Sequence, residues 1–235
     1  MKILTHLVNI ERNAKIGKYT SLASLVILAG GMYISFAYPT MLSVSFIALL
    51  VGFVLSQVGI YFGNRWGRHP RIDERLTAAL KGLTKDYTLY NFLTPVNHLL
   101  IGPAGVWIIE PYYQRGRIVY EGNKWKQKGG GFMLGYLKLF AQEGLGRPDF
   151  ELKTDIENLT KGFKKFLNEG EEIPQINVAL VFTDDRVDLQ TGDAPIPTMK
   201  IEQLKEFIRK SAKQNPFPPA EINRICAVLP SENIE

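Results

Sequence analysis

Between Lys18 and Arg65 the sequence has no Asp, Glu, Lys or Arg, an uncharged run of 46 residues from Tyr19 to Asn64. A chain of 235 residues has too little other mass to bury such a run. That excludes a plain soluble enzyme. Cysteine is nearly absent: Cys226 stands alone, which excludes a disulfide scaffold and a cysteine-based zinc site. Three consecutive glycines occur at 129–131, but no Gly-Lys-Ser/Thr follows, so a phosphate-binding P-loop is not supported. Internal repeats and low-complexity segments are also lacking.

Charge is present, and its placement is informative. The net charge is +5. Residues 1–64 contribute +3 through Lys2, Arg12, Lys15 and Lys18 against Glu11, and residues 65–235 contribute +2. The larger part is therefore nearly balanced, so nucleic acid as a partner is not supported by charge. The bases gather instead at the borders of the apolar run: Lys15 and Lys18 before it, Arg65, Arg68 and Arg71 after it.

The run is long enough for two crossings of a bilayer, each needing about 20 apolar residues. Pro39 marks the turn, because proline disfavours helix at the residue before it. Spans are expected at about 19–37 and 41–62, forming a hairpin within 19–64. Basic flanks on both sides and an uncharged turn place both termini in the cytoplasm. The lipid bilayer is thus the first expected partner, with the chain a multi-pass protein of the cell membrane. Ser35-Phe36-Ala37 also resembles a signal-peptide cleavage site; the second span would keep Arg65 onward in the cytoplasm on that reading too. Neither span contains a charge, which argues against a pump, channel or proton relay. Ala48, Gly52, Ser56, Gly59 and Gly63 form a small-residue face suited to packing against the first span. Residues 1–18 form a cytoplasmic segment, its early apolar cluster suggesting an interfacial helix.

Residues 65–235 read as a mixed α/β domain. A helical stripe covers 72–83, and β-favouring segments follow at 87–93, 97–101 and 106–110, the last almost wholly apolar and so expected at the centre of a sheet. A hairpin is expected over 116–126, with Gly122-Asn123 as its turn. Residues 129–147 read as a flexible insertion whose apolar members (Phe132, Met133, Leu134, Tyr136, Leu137, Leu139 and Phe140) either cover the sheet or touch the bilayer. A helix over 150–167, a buried strand over 176–182, a short strand at Met199 and helices over 201–212 and 219–228 complete the domain.

One stretch carries a recognisable pattern. Asn97-His98, an apolar strand, Gly102-Pro103-Ala104-Gly105, a second apolar strand and Glu110-Pro111-Tyr112 resemble the nuclease-related domain family, NERD. That family resembles the PD-(D/E)xK restriction-endonuclease fold, with a typical run of Asp-His, strand, Gly-Pro-x-Gly, strand and Glu-x-Lys. The likeness extends from about Arg71 to Ala212. It implies a restriction-endonuclease-like mixed sheet flanked by helices. It also implies a site in which two carboxylates hold a divalent cation beside a phosphodiester and a lysine orients the attacking water.

At those positions this chain has Asn97 for the first carboxylate, Glu110 for the second and Tyr112 for the lysine. Asparagine offers no charge, and a phenol is neutral at pH 7. The family's helical glutamine corresponds to Glu151, and Glu74 lies in the first helix. A rebuilt site for Mg²⁺ or Mn²⁺ would therefore use Glu74, Glu110 and Glu151, with a lysine such as Lys153 in support. Without it, no cofactor is expected. A strand-end Glu110 paired with Arg115 or Arg117 is the structural alternative. His6, His69 and His98 are not expected to act as general bases.

Two functions follow from the resemblance. One is a degenerate nuclease fold, a pseudoenzyme serving as a binding or scaffolding module for an unidentified protein partner. The other is an active metal-dependent nuclease tethered at the cytoplasmic face. The membrane expectation has a direct check. Reporter fusions at Thr40 and after Glu235 should report opposite sides of the membrane; the same side for both would refute the hairpin.

Overall fold

The computed structural model describes residues 1–129, 131–140, 144–167 and 171–234. Two compact units emerge, one of sheet and helices, the other of long apolar helices.

The helical unit (Val8–Arg71 with Phe132–Glu143) is built on α1, Leu7–Ala37, and α2, Leu42–Phe62. Both helices are long and apolar enough to cross a membrane. At 1.5 Å per residue α2 measures about 31 Å, close to the thickness of a hydrocarbon core. Pro39–Met41 forms a single 3₁₀ turn between them, where the proline predicts one. The first helix starts well before residue 19, because the basic segment simply continues it.

What holds the pair together is a seam of small residues at seven-residue intervals. Gly17, Ser24 and Gly31 are buried on α1; Ser45, Gly52 and Gly59 are buried on α2. Ser45 Oγ donates to the Gly31 carbonyl at 2.7 Å. A Cβ on Gly52 would stand 2.7 Å from Leu28 Cγ, and one on Gly17 would stand 2.9 Å from the Gly63 nitrogen. Absent side chains thus let the backbones approach. Outside the seam the surface is apolar, with Leu22, Leu25, Val26, Phe36 and Phe46 all exposed.

The glycine-rich insertion contains a further helix, α4 (Gly131–Phe140), where a flexible segment is expected. Its Phe140 ring meets Phe53 of α2 edge-on at 6.2 Å, and Tyr136 lies against Phe140 at 4.8 Å. The side chains of Met133, Leu134, Leu137 and Leu139, and residues 130 and 141–143, lie outside the described residues.

The α/β unit contains a six-stranded mixed sheet. Its strands are β1 (Lys2–Thr5), β2 (Thr88–Asn91), β3 (His98–Gly102), β4 (Gly105–Tyr112), β7 (Ile176–Phe182) and β9 (Thr198–Lys200), in that spatial order. The pairings β2/β3 and β3/β4 are antiparallel; β1/β2, β4/β7 and β7/β9 are parallel. β4 is thus interior, as its unbroken apolar run requires. Its turn from β3 depends on two glycines. Gly105 has φ +98°, and a Cβ on Gly102 would run into the Tyr87 ring.

Residues 1–18 depart from expectation. Lys2–Thr5 form an edge strand of the sheet rather than part of an interfacial helix, and α1 begins two residues later. Leu4 explains the pairing: it is 4% exposed and belongs to the core beside Tyr90 and Leu99. The outer edge is closed by the C-terminal segment. Thr5 N donates to Asn233 Oδ1 and Leu7 N to the Ile234 carbonyl, both at 2.9 Å. An exposed edge is thereby covered.

Helices cover both faces. Leu76 and Leu80 of α3 (Ile72–Ala79 and the turn after it) and Leu204 and Ile208 of α6 (Ile201–Gln214) pack on the face carrying Leu89, Leu100, Trp107 and Ile109. Leu159 and Phe163 of α5 (Pro148–Phe166) and Ile222 and Ile225 of α7 (Pro219–Ala227) pack on the face carrying Tyr90, Leu99 and Ile108. The expected hairpin, β5 (Gly116–Glu121) and β6 (Lys124–Lys128), does not join this sheet. It forms a second sheet with β8 (Val187–Gln190), in the order β6-β5-β8.

Two adjacent glycines give the helix seam a sharp check. A Cβ on Gly31 meets Ala48 Cβ at 3.0 Å, whereas one on Gly30 meets nothing within 4 Å. Gly31→Leu should therefore destabilise the helical unit by about 1–3 kcal/mol through overpacking, and Gly30→Leu should not. Thermal unfolding of the detergent-solubilised chain measures the contrast.

Candidate functional site

The C-terminal end of β4 carries Glu110 and Tyr112 on one face, two residues apart, as strand alternation requires. Ile109, one residue before Glu110, points to the opposite face and packs with α3 and α6. Below Tyr112 lies a small core of Leu145, Leu152, Leu180 and Phe182, with Ile118, Trp125 and Val187 from the second sheet. The Tyr112 ring stacks on Phe182 at 5.5 Å and 24°. Its carbonyl accepts from Thr183 N at 2.7 Å, and Arg75 Nη1 donates to the Thr183 carbonyl at 3.0 Å.

The phenol itself is engaged. Tyr112 Oη donates to Glu151 Oε2 at 2.8 Å. Glu151 also ties down its own helix start, its Oε1 accepting from Arg147 N at 3.2 Å. This satisfies one of the orphan N–H groups at the beginning of α5. Tyr112 and Glu151, the two residues that the resemblance sets at lysine and glutamine positions, are bonded to each other. Burial pushes the Tyr112 phenol well above its ordinary range, and the negative charges of Glu151, Glu110 and Asp155 push it further. It stays a neutral donor through the physiological range.

Asp155 was not among the residues expected here. Its signal was available: it stands four positions after Glu151, one turn along the same face of α5. Lys153 is exposed and stands two positions from Glu151, a spacing that faces the two apart, so it does not take the lysine's place. Asp184, just past the end of β7, accepts from Arg186 through both carboxylate oxygens at 2.7–3.0 Å. That guanidinium holds its carboxyl down at about 2.

Among the described residues, no three His, Cys, Asp or Glu side chains are placed to hold a metal ion. Glu110 and Glu151 both border Tyr112; Glu74 is half-buried in the first turn of α3. Asn97 sits just before β3, half-buried. The β3/β4 register, counted on from Leu99↔Ile108, sets it across from Glu110. His98 is buried within the sheet, its Nδ1 2.9 Å from Asn91 Oδ1, while Asn91 Nδ2 donates to Thr5 Oγ1 at 3.3 Å. Because that amide oxygen only accepts, Nδ1 carries the proton, and His98 serves a polar line across β1, β2 and β3.

Chemically, the site is a neutral phenol bordered by carboxylates. It offers hydrogen bonding from the phenol and acceptor oxygens from the carboxylates. Compared with protein-family models, with curated proteins and with solved structures, the chain returns no match in any of the three.

The Tyr112–Glu151 bond is testable by stability. Tyr112→Phe removes the hydroxyl and should cost about 1 kcal/mol. It should also flatten the alkaline limb. Tyrosine has an ordinary value of 10.0 and is raised in the folded chain. Its contribution is therefore complete below pH 10 and declines as the pH rises from there, because only the unfolded chain ionises. Urea titrations of both proteins from pH 8 to about 11 measure the difference.

Proposed function

We propose that this chain is a membrane-anchored domain of nuclease-related (NERD) type whose catalytic site has degenerated and which serves as a binding or scaffolding module. One observation carries the reading: the side chain at the family's lysine position is a buried, neutral tyrosine committed to Glu151. A lysine there would bring a positive charge to the transition state, a contact worth several kcal/mol when preorganised. This pair brings none.

The NERD likeness draws support from the order of elements. A helix, α3, precedes three adjacent antiparallel strands, β2, β3 and β4; helix α5 and the parallel neighbour β7 follow. The Gly-Pro-Ala-Gly turn joins the two central strands, and Glu110 stands near the end of the second.

Anchoring draws support from three features. Both ends of the hairpin return to one sheet-and-helix unit, through β1 before it and α3 after it, so an even number of crossings is required. Aromatic groups collect at each end: Tyr61, Phe62 and Trp66, with Arg65 5.2 Å from the Trp66 ring centre, at the base, and Tyr33 beside Tyr38 at the turn. Such rings favour the membrane–water interface. The third is α4, whose Phe140 meets Phe53 near the middle of α2, a depth that suits a helix bathed in the same lipid. Basic flanks orient the α/β unit toward the cytoplasm.

The test uses the full-length chain, because a fragment starting at Arg65 would lose β1. With Mg²⁺ or Mn²⁺ and DNA or RNA, no divalent-dependent cleavage is expected, and Glu110→Ala should change stability only. Asn97→Asp should raise Mn²⁺ affinity, because hard-cation binding follows ligand charge. Robust Mg²⁺-dependent cleavage by the unaltered chain, lost in Glu110→Ala, would instead establish a tethered nuclease.

A further inference from the structure

The base of the helical hairpin contains an open recess of about 560 Å³, bordered by α1 and the π-helical turn Gly63–Gly67. Its cations are Lys15, Lys18 and Arg68. Glu11 is its sole carboxylate and lies 2.7 Å from Lys15, leaving the recess with a net charge of +2. Its remaining wall includes Gly17, Gly63 and Gly67.

These glycines differ in what they do. Gly17 is bare because the helices touch there, its Cβ position lying 2.9 Å from the Gly63 nitrogen. Gly63 and Gly67 are not constrained in that way. A Cβ at either would meet nothing within 4 Å, and neither has a positive φ. A side chain would therefore fit the backbone at both positions. Their bareness keeps the recess open, and packing and conformation do not explain it.

The recess also has a defined place along the chain. Lys18 immediately precedes the uncharged run and Arg68 lies four residues beyond its end. Next to Lys18 the exposed surface of α1 turns apolar at Tyr19, Leu22, Leu25 and Val26. An occupant must be anionic at one end and apolar at the other.

From this geometry we infer that the recess binds the head group of an anionic phospholipid, its phosphate between Lys18 and Arg68 and its acyl chains along the apolar face of α1. The inference rests on the membrane-anchored reading above and deepens it. A bilayer surface attracts each nearby Lys or Arg by roughly a factor of five in affinity. A recess that admits the phosphate between two cations adds shape to that attraction.

The full-length chain in a neutral detergent, titrated with phosphatidylglycerol or with phosphatidylcholine of the same acyl chains, tests this by native mass spectrometry. Phosphatidylglycerol should bind at least five times more tightly. Lys18→Gln with Arg68→Gln should weaken it about 25-fold, leaving phosphatidylcholine unchanged. Gly67→Leu keeps every cation and should also abolish the preference, by filling the recess, while thermal stability stays the same. Inorganic phosphate at equal concentration should not displace the lipid. Equal binding of both lipids, retention of the preference in Gly67→Leu, or displacement by phosphate would overturn the inference. An alkaline carbonate wash separates the two levels. A chain that stays with the membrane but shows no preference refutes only the lipid site; a chain released by the wash refutes the anchor itself.

Discussion

The pairing of Lys2–Thr5 with Thr88–Asn91 is the constraint on which the rest of the molecule depends. It forces the chain to leave the sheet at Thr5 and to re-enter the same unit at Ile72. Everything between must go out and come back. Two helices, of 31 and 21 residues, joined by one turn at Pro39, are an economical way to do so. The small-residue seam then follows, since helices tethered at one end and joined at the other must run side by side. Gly17, Gly31, Gly52 and Gly59 let them do so at close range.

The same economy governs the end of β4. An isolated charge there would need a counter-charge or a cation, because burial penalises ions. With tyrosine in place of lysine, the carboxylate on α5 acquires a neutral donor. Glu151 simultaneously caps its own helix, so one side chain links sheet to helix and closes the helix start. The interaction ties sheet to helix, and it is the feature on which our proposal of binding over catalysis rests.

Much of this was legible in the sequence, for identifiable reasons. The uncharged run and Pro39 fixed the hairpin, since both act locally. Val106–Ile109 read as interior because no polar residue interrupts it. Gly122-Asn123 read as a hairpin turn, and both residues have positive φ. The features that escaped are those decided at long range. Lys2–Thr5 is too short to declare itself a strand; its partner lies more than 80 residues away, and only Leu4 hints at burial. Asn97, Glu110, Tyr112 and Glu151 were identified singly by resemblance. That Tyr112 would donate to Glu151 depends on how α5 covers its face of the sheet. Spacing along the chain does not encode that.

The closure of the sheet edge has a consequence for biosynthesis. The ribosome makes β1 before either apolar helix, but its ladder partner, Thr88–Asn91, emerges only after both, and Asn233 and Ile234 later still. Until residues 88–91 are made the strand is a short peptide with unpaired amide groups. Its bonds to Asn233 and Ile234 are among the last that the chain can form. A mature edge is therefore a record that both helices have been produced and that the chain has come back.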